Sequence, residues 1–140
     1  MSCGTRKLLV CGSRGITDTN WVKSQIDSYW YWNLACYEDL IMIEGAARGV
    51  DLIAKEYAEE NNWTQIKEYP AEWDKYGKSA GPIRNEIMVK EADEVLVLWD
   101  GSSHGTLNDI HLCEKYNKPF KVIIYNSTIK EDYITKYVHK

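Results

Sequence analysis

An α/β fold, built on a mostly parallel sheet with helices on both faces, is the class this 140-residue sequence predicts. Short apolar runs suited to buried strands alternate along the chain with stretches whose apolar residues recur at helical spacing. Three of those runs also open into glycine-bearing turns, as strands of a parallel sheet do where they hand over to a helix. One domain, 1–140, with a single core is expected at this length.

Lys7 to Cys11 is the first apolar run and ends in Gly12. Thr17, Asp18 and Thr19 then offer side chains that accept from free helix N–H groups, and Trp21, Val22, Ile26, Tyr29, Trp30 and Leu34 follow at helical spacing. The aromatic cluster Tyr29 to Trp32 exceeds what one core-facing stripe hides, so a homodimer or higher homo-oligomer is expected. Leu40 to Glu44 repeats the strand pattern, and Val50, Ile53, Tyr57 and Ala58 mark a second helix. Gln65 to Tyr69 reads as a third strand. Pro70 to Pro82 has no periodicity and is expected to be a loop, with the length of a lid. A third helix starts at or near Pro82, with Ile83, Ile87 and Met88 facing the core. Glu94 to Trp99 is a continuous apolar run suited to a strand buried on both faces. Leu107, Ile110 and Cys113 spell a fourth helix, Phe120 to Tyr125 a last strand, and after a polar turn Tyr133, Ile134, Tyr137 and Val138 a short C-terminal helix.

The net charge of −4 provides no general electrostatic footprint for nucleic acid or anionic membrane, so nucleic acid is a disfavoured partner on this reading. The four cysteines form no C-x-x-C pair, and Cys11 and Cys113 sit inside apolar patterns that suit reduced, buried thiols. His104 and His111 lack the further ligands a metal needs, so no metal and no cofactor are expected. No apolar run approaches the ~20 residues of a membrane span, which points to a cytoplasmic protein without a membrane partner.

The strand-to-helix turns carry the chemistry. Gly12, Ser13 and Arg14 follow the first strand; Gly45, Ala46, Arg48, Gly49 and Asp51 follow the second; Asp100, Gly101, Ser102, Ser103, His104, Gly105 and Thr106 follow the fourth. In a parallel sheet these turns share one edge, where backbone N–H groups and Arg14, Arg48 and Arg84, with Asn85 beside the last, suit a phosphate and a ribose. Asp51, in a first helical turn, either stabilises its own helix or accepts from a ribose hydroxyl. The expected function is binding of a nucleotide or nucleotide-derived small molecule.

The order Arg84-Asn85-x-x-Met88, Ala92-Asp93, an apolar strand and Gly101-x-x-x-Gly105-Thr106-x-x-Asp109 resembles the SLOG superfamily, Rossmann-like domains named after DNA-processing protein A (Smf/DprA) and the LONELY GUY phosphoribohydrolases. Gly45 to Asp51 is similar to the G-x-A-x-G-x-D motif of the DprA branch, and Gly12-Ser13-Arg14 fits the YspA-like, cpYpsA-related branch. The resemblance implies a Rossmann-like fold, assembly into oligomers and a link to nucleotide signals in bacterial and phage conflict systems, where such a domain would act as a sensor, carrier or sequestering protein. It also implies two alternatives. In a LONELY GUY-like enzyme, Arg84 and Asp109 would be the catalytic pair that cleaves the N-glycosidic bond of a nucleoside monophosphate. Against the enzyme motif, Asp100 replaces a proline, Ser102 a glycine, and Asp109 is one methylene shorter than glutamate. In a DprA-like single-stranded DNA binder, Arg48, Lys75, Lys78 and Arg84 would form a patch on which Trp73 and Tyr76 stack bases.

Overall fold

The computed structural model describes residues 3–125 and the backbone of 135–138. In chain order these are β1 (Thr5–Gly12), α1 (Thr19–Asn33), β2 (Asp39–Glu44), α2 (Val50–Glu60), β3 (Gln65–Glu68), α3 (Trp73–Tyr76), a 3-10 turn (Gly77–Ser79), α4 (Ala80–Glu91), β4 (Glu94–Trp99), α5 (His104–Lys115), β5 (Phe120–Ile124) and β6 (Thr135–Val138). The sheet runs β3-β2-β1-β4-β5-β6, with every neighbouring pair parallel except β5 and β6. This is the Rossmann-like order: the chain winds outward from β1 through β2 to β3, then returns to the other side of β1 with β4. The reversal leaves a crevice outside the carboxyl ends of β1 and β4, where open α/β sheets hold ligands.

The central strands separate two apolar layers because successive side chains point to opposite faces. Leu8, Val10, Met42, Leu96 and Leu98 pack with Val22, Ile26 and Tyr29 of α1 and with Val50, Ala54 and Tyr57 of α2. Leu9, Cys11, Ile43, Val95 and Val97 pack on the other face with Met88 and Val89 of α4 and with Leu112 and Cys113 of α5. Val95 to Leu98 are all fully buried, as a strand covered on both faces requires. Asp18 caps α1 by accepting from the Trp21 N–H at 3.1 Å.

Three expectations need correction. The stretch from Pro70 to Pro82 is not a structureless loop: it holds α3 and the 3-10 turn, and α4 begins two residues before Pro82. Nothing in α3 is buried, so its sequence has no apolar period to reveal it. Thr135–Val138 is an antiparallel edge strand on β5 instead of a helix, because a spacing that fits one helical turn also fits a strand, and pairing with β5 decides between them. Tyr133, Ile134 and the preceding polar turn lie outside the described residues. Ile87 faces solvent at 50 % exposure, whereas Met88 is buried. In the aromatic cluster, Tyr29 is buried and Tyr31 and Trp32 are exposed, with their rings edge to face at 5.0 Å.

Candidate functional site

A cleft of about 550 Å³ opens at the predicted crevice. Gly12 and Arg14 line it from the turn after β1, Asp100 and Ser103 from the turn after β4, and His104, Gly105 and Thr106 from the start of α5. Arg84 and Asn85 of α4 and Asp51 of α2 reach it from the other side. The residues expected to share one edge therefore divide into those that face the cleft and those that build the wall behind it.

The turn after β4 is held by its own side chains. Asp100 accepts from the N–H groups of Ser102 at 2.9 Å and Ser103 at 2.8 Å. Burial works against its charge, but these hydrogen bonds outweigh it and hold the carboxylate below its usual pKa. The Trp99 indole N–H donates to the Ser103 carbonyl at 3.0 Å and so fixes the entry to α5. Ser103 caps the helix, taking the Thr106 N–H on its hydroxyl and the Leu107 N–H on its carbonyl. The first N–H groups of a helix have no intrahelical partner. Here those of His104 and Gly105 are left without one among the described residues, at the wall of the cleft. A Cβ at Gly105 would meet nothing within 4 Å. Gly101 and Ser102 are exposed and stand outside the cleft wall.

The turn after β2 is closed. A Cβ at Gly45 would lie 2.5 Å from Arg84 Nη1 and 2.8 Å from Asp51 Oδ2, so glycine is there to let Arg84 and Asp51 approach the backbone. Arg84 donates from Nη1 to the carbonyls of Gly45 and Tyr69, and from Nε to Asn85 Oδ1. Its guanidinium ties β2, β3 and α4 together before any ligand arrives. Asp51 accepts from the Ala47 N–H at 3.3 Å, and Glu44 accepts from the Ala46 N–H at 2.7 Å. Gly49 has φ +79°, and a Cβ on it would collide with the Arg14 carbonyl. Gly12 is equally constrained, with the Leu98 carbonyl 2.3 Å from where its Cβ would be. Of this turn only Ala47 lines the cleft; Gly45, Ala46 and Gly49 do not, and Arg48 is exposed outside it. Ser13 is buried as well: its hydroxyl accepts from the Asp100 N–H and meets the Thr106 hydroxyl at 3.2 Å, so it joins the two turns instead of facing a ligand. Gly12, Gly45, Gly49 and Ser13 are thus each held in close contact with the chain itself.

Acids floor the cleft. Asp109 of α5 is buried, at 5 % exposure. Burial and the nearby charge of Asp51 push its carboxyl up to about 7, against the pull of Cys11 and Arg84. Its Oδ1 has no hydrogen-bond partner among the described residues. Burial pushes Asp51 up to about 6, and Arg84 opposes the shift. Glu44, fully buried behind the same turn, is pushed up to about 8 by burial and by Glu68. Sequence reasoning passed over Glu44, although a strand that ends in a carboxylate immediately before a glycine turn was a readable signal. It also passed over Gly81, Pro82 and Asn108 in the cleft wall, and it considered Trp73, which stands at the rim and is 50 % exposed, only as a DNA contact. Gly81, Pro82 and Trp73 fall where a loop was expected, and no pattern in that stretch revealed a wall.

Comparison with known proteins agrees with this architecture. The family model of the YspA, cpYpsA-related SLOG family matches residues 6–76, just over half of the chain. The chain belongs to that family. The matched span ends at α3, so Arg84 and the turn from Asp100 to Asp109 lie beyond it. This SLOG chain is 29% identical over 129 residues to the Gene 61 protein of Mycobacterium phage D29, covering 81% of the chain and 93% of that protein. Its fold is similar to that of DNA processing protein A from Helicobacter pylori, with a TM-score of 0.64 at 20% identity over 89% of this chain and 68% of the other. That structure describes a single-stranded DNA binding mode. That likeness corrects the expectation of a small nucleotide with nucleic acid disfavoured: the fold is shared with a protein whose structure describes single-stranded DNA binding, so nucleic acid stands beside a nucleotide as a candidate partner class. Net charge does not exclude such a partner, because a strand is met by a local surface and not by the charge of the whole chain. As for membranes, no helix among the described residues is long and apolar enough to cross one.

Proposed function

We propose that the cleft binds a nucleotide unit, with its phosphate at the N-terminus of α5 and its sugar over the floor formed by Asp51 and Asp109. The observation that carries this reading is the pair of unpartnered N–H groups at His104 and Gly105, opening into a cleft that also holds Arg14. A helix N-terminus favours an anion through its oriented N–H groups and its dipole. Family membership and the fold shared with DNA processing protein A support a role in nucleotide or nucleic-acid binding. The unit need not be free. Trp73 and Tyr76 are 50 % and 38 % exposed on α3, next to the exposed Lys75 and Lys78, and Trp73 is at the rim. Aromatic and basic side chains side by side are what a single strand uses for stacking and for its backbone, so the same cleft can hold one unit of a strand.

Binding without turnover is the form of this reading we favour. A carboxyl at Asp109 pushed up to about 7 is neutral in a large part of the population at neutral pH, which weakens it as a stabiliser of a cationic sugar. Arg84 is already committed to carbonyls. Native mass spectrometry of freshly purified protein tests the ligand: a co-purifying nucleotide or oligonucleotide is expected. Absence of any such adduct, together with no binding to a nucleotide panel or to a 5′-phosphorylated oligonucleotide, removes the reading. Steady release of free base from a nucleoside monophosphate, lost in Asp109→Asn, would make the protein an enzyme instead.

A further inference from the structure

A second cavity, of about 230 Å³, lies at the opposite edge of the sheet, where α1 and α2 end and where β2 and β3 begin. Its walls include the indoles of Trp30 and Trp63 and the phenol ring of Tyr57, and its acids are Asp27 and Glu38. The Tyr57 and Trp63 rings meet edge to face, at 79° with centroids 6.1 Å apart, and Tyr57 is buried, so the half-buried indoles of Trp30 and Trp63 are the aromatic surface the cavity offers. The Tyr57 hydroxyl donates to Asp27 Oδ1 at 2.8 Å, which fixes the phenol and holds the carboxylate at the cavity. No lysine or arginine among the described residues lines it. Asn61, the C-cap of α2, also lines it, so the carbonyl end of that helix adds partial negative charge.

We propose that this cavity is a separate ligand site for an organic cation, namely a quaternary or alkylated ammonium group. The aromatic faces attract positive charge and tolerate methyl groups, while Glu38 and Asp27 supply the net countercharge. A bare metal ion would find too few ligands, since no group of three or more His, Cys, Asp or Glu able to hold one occurs among the described residues. Asp27 and Glu38 are both exposed, so a neutral apolar guest would draw nothing from them, whereas a cation gains their attraction. The site shares no wall residue with the nucleotide cleft and stands or falls independently of it.

Choline titrated into the full chain, followed by the indole N–H signals of Trp30 and Trp63, tests the proposal. Its neutral isostere 3,3-dimethylbutan-1-ol, in which carbon replaces the charged nitrogen, is the control. Choline is expected to shift both indoles with roughly millimolar affinity, and the isostere to bind about tenfold more weakly. Glu38→Gln, at an exposed position, should weaken choline about threefold without altering the isostere. Trp63→Leu should abolish the response, and Trp30→Leu serves as the second variant if that protein does not fold. A peptide carrying trimethyl-lysine tells the sources apart: tighter binding than choline assigns the cation to a partner chain, weaker binding to a free metabolite. Equal binding of choline and its isostere, no effect of Glu38→Gln, or no indole shift at about 100 mM choline would overturn the proposal.

Discussion

The turn after β2 and the turn after β4 have similar compositions, with glycines, small residues and one acid apiece, but the structure uses them in opposite ways. At the first, the acid and the arginine close on the glycine backbone: Arg84 and Asp51 occupy the space a Cβ at Gly45 would need. At the second, Asp100 fastens the loop through the Ser102 and Ser103 N–H groups while Gly105 at the start of α5 faces open space. A glycine therefore has two meanings that sequence does not separate. It lets the chain touch itself, or it lets something else touch the chain.

The largest effects should come from breaking the closed turn. Gly12→Ala forces a methyl against the Leu98 carbonyl and is expected to lower unfolding free energy by about 3 kcal/mol in urea titrations, and Gly45→Ala, which displaces the Arg84 and Asp51 side-chain ends, by about 2 kcal/mol. Gly105→Ala is the matched control. With open space around it in a helix, its stability should stay within about 1 kcal/mol of wild type, on the stable side, while phosphate affinity falls. Equal destabilisation by Gly45→Ala and Gly105→Ala would erase the distinction.

The acid floor gives the next effect. Asp109 has a folded-state pKa of about 7 against an ordinary 3.8, so the folded chain holds a proton that the unfolded chain has released. Stability contributed by this group is then present below about 4, is lost as pH rises towards 7 and stays lost above it. Asp51, raised to about 6, and Glu44, raised to about 8, act in the same direction. The thermal midpoint should therefore fall between pH 5 and pH 8. Asp109→Asn should be more stable than wild type at pH 8 by roughly 1–2 kcal/mol and about equal to it at pH 4. A flat wild-type profile over this range would mean that these carboxyls are ordinary.

The smallest effect belongs to Asp100. Asp100→Asn keeps an oxygen for the Ser102 and Ser103 N–H groups but removes a negative charge beside the proposed phosphate, so anion affinity should rise roughly two- to fivefold by calorimetry.

The strands were legible because burial on both faces leaves continuous apolar runs such as Val95 to Leu98, and the long helices because their core-facing stripes repeat. The short α3 and the edge strand β6 were not. One buries nothing, and the other is selected by pairing with β5, which lies far away in sequence. The site was legible in outline for a similar reason. Topology alone sends the turns of a parallel sheet to one edge, but which turn stays open depends on side chains arriving from other elements, as Arg84 of α4 does at Gly45. The buried position of Asp109 was hidden because a lone acid in an amphipathic helix reads as solvent-facing.

Backbone amide shifts, recorded while a 5′-mononucleotide and then its phosphate-free nucleoside are titrated in, test the central contrast most directly. The account predicts that the mononucleotide moves the His104 and Gly105 amides strongly, that the nucleoside leaves them nearly still, and that Gly45, Ala46 and Gly49 move little with either. Strong shifts at Gly45 to Gly49 with His104 and Gly105 unmoved would contradict it.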